Sequence, residues 1–207
     1  MQVWKTSDKK NPLVNLLVTE EQHLVLKNLS ASMPDVLLND RQISDFELLA
    51  TGVFSPLKGF MRQMDYASVL DRMRLESGDL WPVPVCLDIS ESLAATLETG
   101  QSVALRDPEG FLLGIMNVED IWSLDVEKEA LAIYGTKDTS HPGVDYLYHK
   151  SGKTYIGGDV QALNLPIHPD FKQIRNTPAE VQKIFSKLGW KRIVGFQTRQ
   201  PIHRPQF

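Results

Sequence analysis

The last eleven residues of the chain contain the side chains whose types and spacing could do chemistry. Gln197, Thr198 and Arg199 follow one another, and His203 lies four residues beyond Arg199. Arginine offers a planar fork of donors that suits sulfate or phosphate, glutamine and threonine add neutral donors, and a protonated histidine can donate as well. These residues indicate an oxyanion site, although their types alone favour an ordinary polar surface loop somewhat more.

Two elements must position these side chains. Ile193, Val194 and Phe196 form a short apolar run that is typical of a buried parallel strand, and the run ends abruptly in polar residues followed by Pro201. In open α/β sheets, ligands bind at the carboxyl ends of strands, and amides at the start of a helix hold anions. The sequence therefore predicts a strand over 191–196 that leads directly into the anion-binding loop.

A helix is predicted immediately before that strand, over 178–188. Thr177 is a cap residue, Pro178 suits the first helical position, and Glu180 follows three residues after the cap. The helix closes at Gly189, and its apolar stripe consists of Val181, Ile184, Phe185 and Leu188. Helix, strand and basic loop together indicate the opening of an α/β domain.

The preceding part of the chain is dominated by strand patterns. Period-two alternation predicts a strand over 81–89, which Pro82 and Pro84 place at a sheet edge, and the turn at 107–110 predicts a β-hairpin. The two strands of this hairpin are expected at 102–106 and 111–118, and a further strand is expected near 155–160. A loop is expected over 137–143. Helices are expected at 19–29, 45–51, 65–74 and 119–134. The helix at 45–51 is expected to begin with a capping box formed by Ser44 and Glu47. Because 165–170 resembles a linker, we expect two domains, 1–168 and 169–207.

Charge is divided unevenly along the 207 residues. Residues 1–170 contain 14 Lys and Arg against 25 Asp and Glu, whereas residues 171–207 contain 8 Lys and Arg against Glu180 alone. The net charges of −11 and +7 suggest either an anion site confined to the carboxyl-terminal segment or a basic face that docks on an acidic neighbour. The acidic first part argues against nucleic-acid binding.

Cysteine and histidine usage bounds the chemistry further. Cys86 is the single cysteine, so an internal disulfide is excluded, and its place in an apolar run predicts a buried, inert thiol. The histidines show no metal-ligand spacing, so no metal site is expected. No signal-peptide pattern and no membrane-spanning run is present, which predicts a cytoplasmic protein without a membrane partner.

Several segments together resemble ATP sulfurylase (sulfate adenylyltransferase). The run Thr51-Gly52-Val53-Phe54-Ser55-Pro56-Leu57-Lys58-Gly59-Phe60-Met61 with Asp65-Tyr66 is similar to the amino-terminal signature of that family. The segments Gly135-Thr136-Lys137-Asp138 with His141-Pro142-Gly143-Val144, and Tyr155-Ile156-Gly157-Gly158, are similar to two further signatures. The carboxyl-terminal run is similar to the family motif Gln-Thr-Arg-Asn-Pro-x-His-Arg-Ala-His.

The resemblance implies an α+β fold, in which a mixed, β-rich PUA-like domain is followed by the first helix and strand of an α/β nucleotidyltransferase domain. It implies that ATP and sulfate react to give adenosine 5′-phosphosulfate and pyrophosphate, with Mg²⁺ on the nucleotide in the full-length enzyme and no cofactor held by this chain alone. It places sulfate binding on Gln197 and Arg199. Thr198 and His203 are the implied catalytic residues, in contact with the phosphates. Self-assembly into a homo-oligomer is also expected.

The carboxyl-terminal run departs from the family motif at three positions. Gln200 stands where the family has asparagine, Pro205 where it has alanine, and Gln206 where it has the second histidine, so ATP-phosphate binding by Gln200, His203 and Gln206 is in question. Pro205 would also lie inside a helix that began at Pro201, at a cost of about 3 kcal/mol. We therefore predict that this helix begins at or after Pro205.

Three hypotheses follow for function. The first is the amino-terminal part of a sulfate adenylyltransferase, with this chain alone inactive because one helix and one strand are too little to hold a nucleotide. The second is a degenerate, non-catalytic sulfurylase-like scaffold or oligomerisation domain fused to an adenylylsulfate kinase. The third is RNA binding, which PUA-like folds can perform and which the net charge of residues 1–170 opposes. Whether the chain belongs to an active enzyme therefore stays open at the level of the sequence.

Overall fold

The computed structural model describes residues 13–195 and residue 197. Its first two helices begin at polar cap residues: Thr19 caps α1 (Glu20–Ser30), and Asn39 caps α2 (Asp40–Ala50). In each helix the side chain of the third residue, Gln22 or Gln42, accepts a hydrogen bond from the backbone amide of the cap residue. The short strand β1 (Asp35–Leu37) lies between the two helices. These reciprocal capping boxes fix both helix starts.

A curled seven-stranded sheet forms the centre of the fold, and its long strand β7 (Thr154–Ala162) is paired with most of the others. The strands follow one another in the order β1-β4-β5-β7-β2, with β3 and β6 also paired to β7. The remaining strands are β2 (Gly59–Phe60), β3 (Leu87–Ile89), β4 (Ser102–Arg106), β5 (Leu112–Asn117) and β6 (Asp120–Ser123). Only the β1–β4 pair is parallel; every other named pair is antiparallel. The residues described thus combine helices with a mixed sheet, which confirms the predicted α+β class.

The predicted hairpin is confirmed. Strands β4 and β5 pair in antiparallel register from Ser102 opposite Asn117 to Arg106 opposite Leu112. In the turn, the Gly110 amide donates to the Asp107 carbonyl and the Asp107 amide donates to the Phe111 carbonyl. The burial of Val103, Leu105 and Leu113 in the core explains why this register is strongly specified.

The remaining helices lie on the sheet and at its ends. They are α3 (Gln63–Arg72), α4 (Glu91–Ala94), α5 (Val126–Tyr134), α6 (Pro142–His149) and α7 (Pro178–Leu188). The core between helices and sheet includes Phe46, Leu49, Leu87, Met116 and Ile156, each no more than 1% exposed. Helix α7 ends where the sequence predicts, with Gly189 in the left-handed conformation at φ 69°.

Several predicted boundaries were wrong, and each has a physical reason. Helix α2 begins at Asp40 rather than 45, because Asn39 and Gln42 form the capping box and Ser44 instead donates to the Asp40 carbonyl. The strand expected over 81–89 is reduced to β3, since Pro82 and Pro84 have no amide proton to donate to a neighbouring strand.

Two errors concern the region after the hairpin. The helix expected over 119–134 is a strand, β6, followed by helix α5, because Ile121 and Trp122 pair with β7. The loop expected over 137–143 gives way to helix α6 at Pro142, which occupies the first helical position behind the cap residue His141. Tertiary pairing overrides the local helical propensity in the first case.

No helix among the residues that the structure describes is long and apolar enough to cross a membrane.

Candidate functional site

Of the predicted anion-binding residues, only Gln197 lies within the part of the chain that the structure describes. Its side chain is exposed and its backbone has no regular secondary structure. Thr198, Arg199, Gln200, His203 and Gln206 lie outside the described residues, as does the helix start predicted at or after Pro205. The roles assigned to these side chains therefore stay predictions, and the structure informs on what leads up to them.

Helix α7 leads into the predicted loop and has well-formed ends. The Thr177 hydroxyl accepts from the Glu180 amide, and the Glu180 carboxylate accepts from the Thr177 amide at 2.7 Å, which lowers the pKa of that glutamate. At the other end, the Trp190 amide donates to the Phe185 carbonyl, and the two rings stack at 5.8 Å between centroids. The chain therefore leaves the helix in a fixed direction.

The strand expected over 191–196 is not formed in its described part. Residues 191–195 have no regular secondary structure, and Val194 is 92% exposed. A strand requires a neighbour to accept and donate its backbone hydrogen bonds, and no strand within residues 13–195 pairs with this segment. The apolar run that predicted a buried strand is thus present as an exposed segment.

A junction joins α7 to the β-rich part of the chain. The His168 Nε2 atom lies 2.8 and 2.9 Å from the two carboxylate oxygens of Glu47, a residue of α2 that is 121 positions away. A cavity of about 500 Å³, here called the junction cavity, opens beside this pair, and Lys172 and Arg175 line it together with Thr177 at the start of α7. No local pattern predicts the pairing, because the capping pattern assigned Glu47 to its own helix.

The signature glycines pack backbones against one another. A Cβ atom on Gly157 would lie 2.1 Å from the Met61 carbonyl oxygen, and one on Gly59 would lie 2.1 Å from the Gly158 carbonyl oxygen. Strands β2 and β7 can therefore approach only where side chains are absent. Two of the motifs that carry the family resemblance thus meet where β2 pairs with the central strand β7.

The third signature, over 135–144, shapes a turn between α5 and α6. The His141 Nδ1 atom accepts from the Gly143 amide at 3.2 Å, and the His141 ring packs on Tyr134 with centroids 4.8 Å apart. A Cβ atom on Gly143 would lie 2.4 Å from the Tyr134 ring. These contacts give the motif a structural role in joining the two helices.

A charged cluster that sequence reasoning missed lies between α2 and β3. Arg41 pairs with Asp88 and with Asp45 at 2.7 Å, and its Nε atom donates to the Tyr146 hydroxyl at 3.2 Å. Asp88 is 7% exposed and also accepts from Gln42 at 2.9 Å. Burial raises the pKa of Asp45, while Arg41 opposes that shift. The cluster is assembled from distant segments, so no local spacing reveals it.

A second buried polar group lies close by, on α5. Glu129 is 5% exposed, and its carboxylate accepts from the Tyr66 hydroxyl at 2.7 Å and from the Tyr155 hydroxyl at 3.1 Å. Burial raises the pKa of Glu129, although the two hydroxyl donors oppose the shift. Cys86 is 4% exposed, as predicted, and burial raises the pKa of its thiol. In the part of the chain that the structure describes, no three His, Cys, Asp or Glu side chains form a group that could hold a metal ion.

Comparison with known proteins identifies the class. A family described as PUA-like domain matches residues 2–165, and a family described as ATP-sulfurylase matches residues 172–207. The chain therefore belongs to the PUA-like domain family over most of its length, and a separate segment after that domain is similar to ATP-sulfurylase. The resemblance stated from the sequence is confirmed.

Relatives with assigned functions agree with this assignment. Over 183 residues the chain is 44% identical to a sulfate adenylyltransferase of Mycosarcoma maydis, with 86% of the chain and 32% of the relative covered. It is 43% identical over 192 residues to a sulfate adenylyltransferase of Synechococcus, with 93% of the chain and 49% of the relative covered. It is 41% identical to a probable bifunctional SAT/APS kinase of Sorangium cellulosum, with 93% of the chain and 33% of the relative covered. The chain thus spans between a third and a half of the length of these relatives.

A solved structure has the same fold. The hexameric APS kinase from Thiobacillus denitrificans superposes with a TM-score of 0.74 at 34% sequence identity, and the match covers 94% of this chain and 34% of that chain.

Proposed function

We propose that this chain is the amino-terminal part of a sulfate adenylyltransferase that acts in sulfate activation in the cytoplasm. The observation that carries the proposal is the continuous match to ATP-sulfurylase over 172–207, which includes Gln197, Thr198, Arg199 and His203 of the expected anion site. In the proposed reaction a sulfate oxygen attacks the α-phosphorus of ATP, the bond to the β-phosphate bridging oxygen breaks, and pyrophosphate leaves. Adenosine 5′-phosphosulfate is the other product.

Each side chain has a proposed task. Arg199 and Gln197 hold the sulfate, while Thr198 and His203 contact the ATP phosphates, with Mg²⁺ carried on the nucleotide. Fixed donors around two anions neutralise the charge that keeps the reactants apart, so positioning supplies most of the catalysis. Gln200 and Gln206 are neutral donors to the phosphates, each weaker than a charge-assisted bond. We further propose that the protein assembles with copies of itself, and the hexameric state of its structural neighbour supports this.

The test measures pyrophosphate release with ATP, Mg²⁺ and sulfate, both for this chain and for the product of its complete gene. We expect activity only in the complete product. Replacing Arg199 with alanine should lower sulfate-dependent release by about 10–10²-fold, because one charged hydrogen-bonding partner is lost. The matched control, Arg192→Ala, removes an arginine outside the motif and should leave the rate unchanged.

A second candidate function is a non-catalytic, sulfurylase-like scaffold fused to an adenylylsulfate kinase. Pro205 and Gln206 favour it, because both depart from the family motif at the half of the site that meets the nucleotide. This candidate predicts no sulfate-dependent pyrophosphate release from the complete product. That result, obtained with folded protein, would reject the enzymatic proposal.

A further inference from the structure

Glu129 is a buried carboxylate without a cationic partner among the residues that the structure describes. Its hydrogen bonds come from two neutral phenols, those of Tyr66 and Tyr155. No lysine, arginine or histidine nitrogen of residues 13–195 lies within ion-pair distance of it. An ionised carboxylate buried in this way is costly, and either a bound proton or a positive group offsets that cost.

A cavity of about 210 Å³, here called the Glu129 cavity, is lined by this residue. Its walls include the rings of Tyr134, Tyr146 and Tyr155, together with Cys86. The volume corresponds to several water molecules, at roughly 30 Å³ each, and is large enough for a short alkyl chain with a polar head. Because Glu129 lines this cavity, a ligand of that size bound inside it would lie next to the residue.

Arg41 also lines the Glu129 cavity, but its guanidinium forms ion pairs with other carboxylates. Its guanidinium pairs with Asp45 and Asp88, donates to the Tyr146 hydroxyl and lies over the Tyr146 ring at 5.4 Å from the centroid. Two carboxylates therefore already face this one cation. With Glu129 there are three carboxylates and one guanidinium at or next to the cavity, so the local charge is negative when these groups are ionised.

We propose that the Glu129 cavity binds a small primary ammonium group, which donates to the Glu129 carboxylate and packs against the tyrosine rings. Ammonium groups combine hydrogen-bond donors with a positive charge that aromatic faces attract. The structure thereby assigns to the PUA-like part of the chain a ligand site that is separate from the predicted sulfate and ATP loop.

Other ligand classes fit the cavity less well. An anion would meet the unpaired Glu129 and the carboxylate of Asp45 on the same walls. A hard metal ion such as Ca²⁺ requires six to eight oxygen ligands, and no cluster of three metal-ligating side chains exists within residues 13–195. An apolar molecule would offer the carboxylate no hydrogen-bond donor. Among these classes, a compact cation with N–H donors matches both the negative charge and the aromatic walls of the cavity.

The test uses ammonium chloride and methylammonium chloride as probes, with sodium chloride at matched ionic strength as the reference. We expect a saturable rise in the melting temperature of the whole chain, by about 3–5 °C at ten times the dissociation constant. Tetramethylammonium should give no rise, because it has no N–H group to donate to Glu129. An equal response to tetramethylammonium, or no response to any ammonium probe, overturns the proposal.

Variants localise the effect. Glu129→Gln keeps the shape of the side chain and removes its charge, so the ammonium response should disappear. The matched control Glu109→Gln changes an exposed glutamate of the hairpin turn and should retain the full response. A response that survives Glu129→Gln contradicts the assignment of the site.

A second measurement does not depend on how well the variant folds. ¹⁵N-labelled ammonium bound in the unsubstituted chain should give proton signals that are protected from exchange with water. Methylammonium should abolish these signals by competition. Unprotected ammonium at saturating concentration is evidence against a buried site.

Discussion

Glu129 shows how a single buried carboxylate links stability to pH. Burial raises its pKa above the ordinary value of 4.5, so the folded chain holds the proton more tightly than the unfolded chain does. Well below pH 4.5 the side chain is protonated in both the folded and the unfolded chain, so it does not make the free energy of unfolding depend on pH. As the pH rises through 4.5, the unfolded chain releases its proton first, and this group then lowers the free energy of unfolding until the raised pKa is passed.

We expect the substitution Glu129→Gln to remove this contribution. Urea unfolding of the two proteins between pH 4 and pH 8, in buffers without ammonium, measures the difference in their free energies of unfolding. That difference should rise in favour of the variant as the pH increases above 4.5. The opposite shift at Glu119, whose pKa Arg62 lowers, is common to both proteins and cancels. A difference that does not change with pH would show that Glu129 titrates normally.

Some residues that act locally were predictable from the sequence, although the capping box of α2 was not, whereas residues that act across the fold were not predictable. Thr177 and Glu180 cap a helix within four positions of each other, so the pattern alone identified them. Cys86 followed from its apolar surroundings. Asp88, by contrast, meets Arg41 and Gln42 across more than forty positions of sequence. Neither the composition nor the local spacing of residues predicts a contact between segments so far apart in the sequence.

At the scale of elements, a helix or strand was predicted correctly where the sequence contains clear capping and terminating residues. Helix α7 has a cap, a proline at its first position and a closing glycine, and its predicted bounds are confirmed. Strand β6 has none of these signals and was predicted as helix, since only its pairing with β7 makes it a strand. The same reason explains the missing strand at 191–195, where an apolar run has no described partner strand. The division into 1–168 and 169–207 stays a prediction.

The link between α2 and the linker before α7 carries a prediction of its own. His168 contacts Glu47 while α7 has no buried residue, so we infer that this pair holds the start of the carboxyl-terminal segment against α2. Replacing His168 with alanine should speed amide hydrogen exchange over 169–178 and leave β5 and β7 unchanged. Global stability should fall by about 1 kcal/mol or less, because both side chains are partly exposed.

A matched control exists in the same chain. His149 contacts Asp145 at 2.8 Å within helix α6, so His149→Ala removes a comparable histidine–carboxylate pair that joins no separate elements. This control should leave exchange over 169–178 as it is in the unsubstituted chain. Unchanged exchange in His168→Ala as well would mean that other contacts hold the linker.

At the scale of the whole molecule, exposed apolar surface is concentrated towards the carboxyl-terminal end. The β-rich part has one main core between helices and sheet, and its exposed large apolar residues are spread over residues 17–134. The segment 167–194, in contrast, exposes Ile167, Phe171, Ile174, Ile184, Leu188, Trp190, Ile193 and Val194. Apolar surface gathered in this way indicates a face that is covered by another structure. The relatives are two to three times longer than this chain. Under the proposed function, the part of an ATP-sulfurylase domain that lies beyond the matched region in those relatives would cover this face.

We therefore expect the 207-residue chain by itself to self-associate through α7. The double substitution Ile184→Glu and Leu188→Glu places charges on successive turns of the exposed stripe, and should lower both the associated fraction in sedimentation and the fluorescence of a bound apolar dye. The matched control, Leu24→Glu with Val25→Glu, charges two residues on α1 that are 67% and 58% exposed, and should change neither. An equal effect of both pairs would show that exposed apolar residues act without regard to their position. An effect of the α7 pair alone would locate the self-association on α7. The complete gene product should then show neither association through α7 nor dye binding there, because the rest of the sulfurylase domain covers this face.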